Sequence, residues 1–197
     1  MTQRASKALS LSEEQQLLGY LATQSDRNRA AATLALTTGL RISELCHLTI
    51  GHVIEGKDIR LTLLVNAEIA KGRAPRALPL PRSTREMLNN YVHVLVSHRK
   101  SYKPTDLLFT GTTWRKPMTA RSFQRAIMNA GLTAIGRPVT PHMLRHTYLS
   151  RMLKSSDLAT VQELAGHKSI KTTQIYLHPS ADDLAAAVSR AYDQETP

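Results

Sequence analysis

The chain is poor in sulfur, in aromatics and in acid. Its single cysteine, Cys46, excludes an internal disulfide, and the apolar helical pattern around it (Ile42, Leu45) reads as a small buried hydrophobe. Aromatic residues make up 5% of the chain, too few for the stacking platforms that grip single-stranded RNA. No apolar run approaches the roughly 20 residues needed to cross a bilayer, and residues 1–10 lack the apolar stretch of a signal peptide. A soluble, cytoplasmic protein without a membrane partner is the expectation. Asp and Glu number 15 against 26 Lys and Arg, a formal net charge of +11, with a pI near 10.2. Such an excess favours a polyanionic partner, and cations spread along the chain point to nucleic acid over a membrane surface. The eight histidines give no metal pattern, because His142 and His146 have no third ligand at suitable spacing. No metal and no other cofactor is expected.

With 197 residues, 42% of them hydrophobic, the chain can bury one sizeable core. Residues 1–9 read as a basic lead-in, and Ser12 with Gln15 fits a capping box for a helix reaching about Thr23. A second helix spans residues 26–38, stopped by Gly39, and a third runs from Arg41 to about Leu48. Between Val53 and Leu80, β-branched and aliphatic alternation gives strands around residues 58–65 and 77–80, joined by a basic turn. Helical spacing returns over residues 83–99 and 119–132, separated by a loop over residues 101–117. Thr140-Pro141 opens a helix over residues 142–154, Asp157 opens another ended by Gly166, and short helices follow over 169–177 and 182–192. The fold class expected is mainly α with a small three-stranded antiparallel sheet, an α+β arrangement.

Four segments carry chemistry. In His142-Met143-Leu144-Arg145-His146, positions three apart share a helix face, so a proton shuttle and a bidentate anion clamp sit together near a helix N-terminus. In Gly39-Leu40-Arg41-Ile42-Ser43-Glu44, an arginine follows a glycine-ended helix with a carboxylate placed to orient it; taken alone, the segment is better read as a buried structural ion pair. Lys71-Gly72-Arg73-Ala74-Pro75-Arg76 is a basic turn, either a solvated hairpin tip or a lysine able to reach a DNA groove. Gly166-His167 precedes Tyr176 by a short helix, and a tyrosine alone is usually core or interface filler.

In chain order these segments resemble the tyrosine recombinase and phage integrase family, whose pattern is Arg, Lys, His-x-x-Arg, His or Trp, then Tyr, here matched from about Ser10 to His178. The resemblance implies the tyrosine recombinase catalytic-domain fold and site-specific recombination of DNA through a 3′-phosphotyrosyl intermediate, without metal or ATP. It implies catalytic roles for Arg41, Lys71, His142, Arg145, His167 and the nucleophile Tyr176, with Glu44 orienting. Two guanidiniums suit the non-bridging phosphate oxygens because they bind bidentately and stay charged. Arg73, Arg76, Arg115, Arg121, Lys168 and Lys171 are candidate phosphate contacts, each also explicable as solvated surface charge. The implied partners are double-stranded recombination sites, a homo-oligomer on DNA that is tetrameric in the synapse, and a DNA-bending accessory protein, in a nucleoid setting.

Members commonly carry a helical DNA-clamping domain ahead of the catalytic one. Here the catalytic helices begin near residue 10, similar to the short single-domain recombinases, although a piece of a longer enzyme would read the same way. The division expected is a lead-in over residues 1–9, a catalytic domain over 10–180 and a tail over 181–197. The tail reverses the charge of the rest, and its apolar face either docks on a neighbouring protomer or packs on its own domain. A topoisomerase-like enzyme, a catalytically silent DNA-binding protein and an RNA-binding protein are the alternative readings.

Overall fold

The computed structural model describes residues 8–70, 75–97, 102–113 and 115–166. Its elements run α1 (Leu11–Gln24), α2 (Asp26–Thr38), α3 (Ile42–Cys46), α4 (Ile50–Val53), β1 (Ile54–Glu55), β2 (Asp58–Ile59), β3 (Thr62–Val65), α5 (Ala67–Ala70), β4 (Arg76–Pro79), α6 (Arg82–Ser97), α7 (Ala120–Ile135), α8 (Pro141–Ser155) and α9 (Leu158–Ala165). The helices expected over residues 169–177 and 182–192 lie outside the described residues. No helix among the described residues is long and apolar enough to cross a membrane.

Helix α2 is the axis of the molecule. Ala30, Ala31, Ala32, Leu34, Ala35 and Leu36 are all buried, so from Ala30 onward it is covered on nearly every side, and it packs against α1, α3, α6, α7 and α8. Alanines on several faces let those helices approach closely, with Leu17, Leu21, Phe109, Phe123, Ile127 and Leu144 filling the space between. Around this core the caps follow local chemistry. Ser25, Thr119, Thr140 and Asp157 each accept a bond from a first-turn N–H, and Pro141 occupies the first turn of α8.

Two expectations need correction. The capping box of α1 is made by Ser10 and Glu13, two residues before the one expected at Ser12 and Gln15. The sheet is also different: among the described residues the strands form two separate antiparallel pairs, β1 with β2 and β3 with β4, not one three-stranded sheet. The break falls at Arg60-Leu61, inside the strand expected over residues 58–65, where the chain leaves one ladder and enters the other, and the short helix α5 lies between that segment and β4. The β3–β4 register, Val65 opposite Arg76 and Leu63 opposite Leu78, places Arg76 on the buried face of its strand.

Candidate active site

The end of α2 begins the site. Gly39 closes that helix in the left-handed region, φ 63°, where a side chain is strained. A Cβ there would also overlap the Tyr148 ring, which lies against the glycine. The backbone then presents the Gly39 carbonyl to α8 and sets Arg41 as the N-cap of α3.

Arg145 projects from α8 with only 5% exposure. Its Nη1 donates to the Gly39 carbonyl and its Nη2 to the Ala165 carbonyl at 2.7 Å. Arg41, half-buried, donates from Nη2 to the Gly166 carbonyl at 3.3 Å and from Nη1 to Glu44 Oε1 at 3.4 Å. Arg76 donates from Nε to the Leu164 carbonyl at 3.0 Å. Guanidiniums from β4, α8 and the start of α3 thus cap the consecutive carbonyls of residues 164, 165 and 166, where α9 ends and its dipole is negative. Gly166, at φ 58°, completes that end, and a Cβ on it would sit 3.1 Å from Arg76 Nη1.

Glu44 is the counter-charge, with no exposure at all. Arg76 grips both of its oxygens, Nη1 to Oε1 at 2.9 Å and Nη2 to Oε2 at 2.8 Å, and the Arg41 backbone N–H adds a bond to Oε2 at 2.8 Å. Burial pushes the Glu44 carboxyl up, but the Arg76 and Arg41 hydrogen bonds and charges outweigh it, holding the group ionised below the usual carboxylate range. Burial likewise raises the Tyr148 phenol, against the opposing pull of Arg76 and Arg145. Three guanidiniums gathered at one helix end with one carboxylate between two of them leave the cluster cationic, which suits an anionic ligand.

The structure therefore brings together Arg41, Glu44 and Arg145. His142 lies in the exposed first turn of α8, one turn before Arg145. Arg115 and Arg121 are exposed, the latter in the first turn of α7. Lys71, Arg73, His167, Lys168, Lys171 and Tyr176 lie outside the described residues. Arg76 departs from the expectation of a surface phosphate contact: its side chain is 3% exposed and its fork is committed to Glu44. The signal was present in strand alternation, since Arg76 and Leu78 share a face while Ala77 and Pro79 share the other.

The model of the phage integrase family matches residues 7–182. Tyrosine recombinase XerC of Azotobacter vinelandii is 38% identical over 168 residues, which cover 84% of this chain and 52% of the relative. XerC of Neisseria meningitidis is 35% identical over 173 residues, covering 87% and 52%. The chain spans about half the length of these curated relatives. Among solved structures, XerA recombinase superposes with a TM-score of 0.77 at 26% identity, covering 95% of this chain and 66% of that one. A pre-cleavage complex of XerH recombinase with its difH substrate has a TM-score of 0.72 at 24% identity, covering 96% and 55%, a likeness of fold.

Proposed function

The chain belongs to the phage integrase family, and we propose that it is a site-specific DNA recombinase, cutting and rejoining strands through a covalent bond between Tyr176 and a 3′ phosphate. One observation carries the reading. Arg41 and Arg145, more than a hundred positions apart, donate to adjoining carbonyls of one helix end, a convergence that supports their sharing one phosphate.

In this reading, the Tyr176 phenolic oxygen attacks the scissile phosphorus as its proton passes to His142. The P–O5′ bond breaks and Lys71 protonates the departing 5′ oxygen. Arg41 and Arg145 stabilise the charge that develops on the non-bridging oxygens, and His167 donates to one of them. The phosphotyrosyl ester conserves the energy of the broken phosphodiester, so a 5′ hydroxyl from a second strand reverses the step without ATP. The substrate is double-stranded DNA bound by several copies of the chain, four in the synapse, aided by a DNA-bending protein in the bacterial cytoplasm. Residues 10–180 form the catalytic unit, and residues 181–197 dock on a neighbouring protomer.

The test mixes the protein with a pooled library of nicked duplexes, denatures it and looks for DNA that stays attached. Wild type is expected to leave an adduct and Tyr176→Phe none. An adduct that persists with Tyr176→Phe removes Tyr176 as nucleophile, and none with wild type refutes the function.

A further inference from the structure

Glu44 is shared unequally between two arginines. Arg76 meets both oxygens with a parallel fork, at 2.9 and 2.8 Å, from a side chain 3% exposed. Arg41 reaches the same carboxylate with a side-chain contact of 3.4 Å, from a side chain 20% exposed. A carboxylate offers about four lone-pair sites. Arg76 and the Arg41 backbone N–H fill most of them with short bonds, so little capacity is left to attract the Arg41 guanidinium.

We infer that Arg76 is a positioning residue for phosphate binding: by saturating the buried Glu44 carboxylate it prevents that charge from drawing the Arg41 guanidinium inward, away from the scissile phosphate. The inference rests on the function proposed above. A buried carboxylate without a partner is strongly unfavourable and takes the nearest cation. Here that is Arg41 Nη1, one helical turn away on α3 and already within 3.4 Å. Closing the gap rotates the guanidinium toward the core and off the Gly166 carbonyl that it now meets at 3.3 Å. Arg76 acts at two more points. Its Nε bond to Leu164 fixes the end of α9, and its place at the start of β4, opposite Val65, joins that end to the β3–β4 pair. One buried side chain thus ties the β3–β4 pair, the arginine N-cap and the end of α9 into a single frame.

The experiment compares wild type, Arg76→Met and the double variant Arg76→Met with Glu44→Gln. Two quantities are read: the first-order rate of adduct formation by folded protein saturated with nicked duplex DNA, and the salt dependence of duplex binding. Arg76→Met is expected to slow the rate by ~100-fold, the scale of losing one oxyanion donor. It is also expected to flatten the salt dependence by about one phosphate contact, a slope change of ~0.9. Neutralising Glu44 in the same protein releases Arg41, so the double variant regains about tenfold in rate and recovers the slope. A purely structural role for Arg76 lowers the amount of folded protein and leaves the per-molecule rate and slope unchanged. A double variant no faster than Arg76→Met, or an Arg76→Met as fast as wild type, overturns the inference. Should Arg76→Met fail to fold, Arg76→Lys with and without Glu44→Gln makes the same comparison, because a point charge cannot hold both oxygens. If wild type forms no adduct at all, the proposed function fails, and the salt slopes alone decide this inference.

Discussion

Arg145 Nη1 donates to the carbonyl of Gly39 across 106 positions of sequence, and the same glycine lies under the ring of Tyr148, three residues further along α8. The end of α2 and the face of α8 are therefore fitted to each other through one residue without a side chain. Gly39→Ala puts a methyl group into the Tyr148 ring at a left-handed φ of 63°. The strain of that conformation is about 1–2 kcal/mol, and overpacking adds about 1–3 kcal/mol. Thermal or urea unfolding is expected to show a loss of at least ~2 kcal/mol. Combining Gly39→Ala with Tyr148→Ala should cost less than the sum of the two single changes, because the smaller ring position removes the overlap.

Arg145→Lys keeps the charge and loses the fork. An ammonium cannot hold the carbonyls of Gly39 and Ala165 in the directions the guanidinium does, nor bind a phosphate bidentately. The rate of adduct formation on saturating nicked DNA is expected to fall by ~100-fold or more, while duplex affinity changes little. A rate within about threefold of wild type would separate the chemistry from this planar geometry.

How much of this was legible beforehand depends on the range of each interaction. The ends of α2, α8 and α9 are written locally, in Gly39, Thr140-Pro141, Asp157 and Gly166, and the structure places them there. The capping box slipped by two residues because Ser10/Glu13 and Ser12/Gln15 both satisfy the same short pattern. The sheet divided into two because pairing between strands is a long-range property, which alternation within one strand does not report. Arg76 was misplaced for the same kind of reason. A cation beside a basic turn looks solvated until its strand neighbour Leu78 is seen to be fully buried and Glu44 is found across from it. The carbonyls of residues 164–166, which hold all three arginines, leave no mark in side-chain identity.

Cys46 is packed into the core at 3% exposure, and burial pushes its thiol up to about 11. The thiolate is the reactive form, so at pH 8 the native protein should react with a thiol-specific disulfide reagent far more slowly than the unfolded chain. Labelling rates with and without denaturant check this. Prompt stoichiometric labelling of native protein would mean that α3 opens readily.

The entry of the chain is pinned by ions. Glu13 pairs with Arg137, Nε to Oε1 at 2.6 Å and Nη2 to Oε2 at 3.0 Å, and beside it Glu14 pairs with Arg151 at 2.6 Å. The Arg137 hydrogen bond, helped by the Ser10 N–H, lowers the Glu13 carboxyl from 4.5 to about 2. A carboxyl depressed on folding stabilises the native state fully above its unfolded value, and the contribution disappears as pH falls toward the folded one. Both partners are partly exposed, which limits the effect to about 1 kcal/mol. Urea unfolding of wild type and Glu13→Gln should therefore differ by about 1 kcal/mol at pH 7. The difference should hold down to about pH 5 and then shrink steadily toward about pH 2, as the unfolded chain's carboxyl takes up a proton that the native carboxylate, held by Arg137, still refuses. A difference that stayed constant through this range would assign the stabilisation to the capping hydrogen bonds and not to the charge.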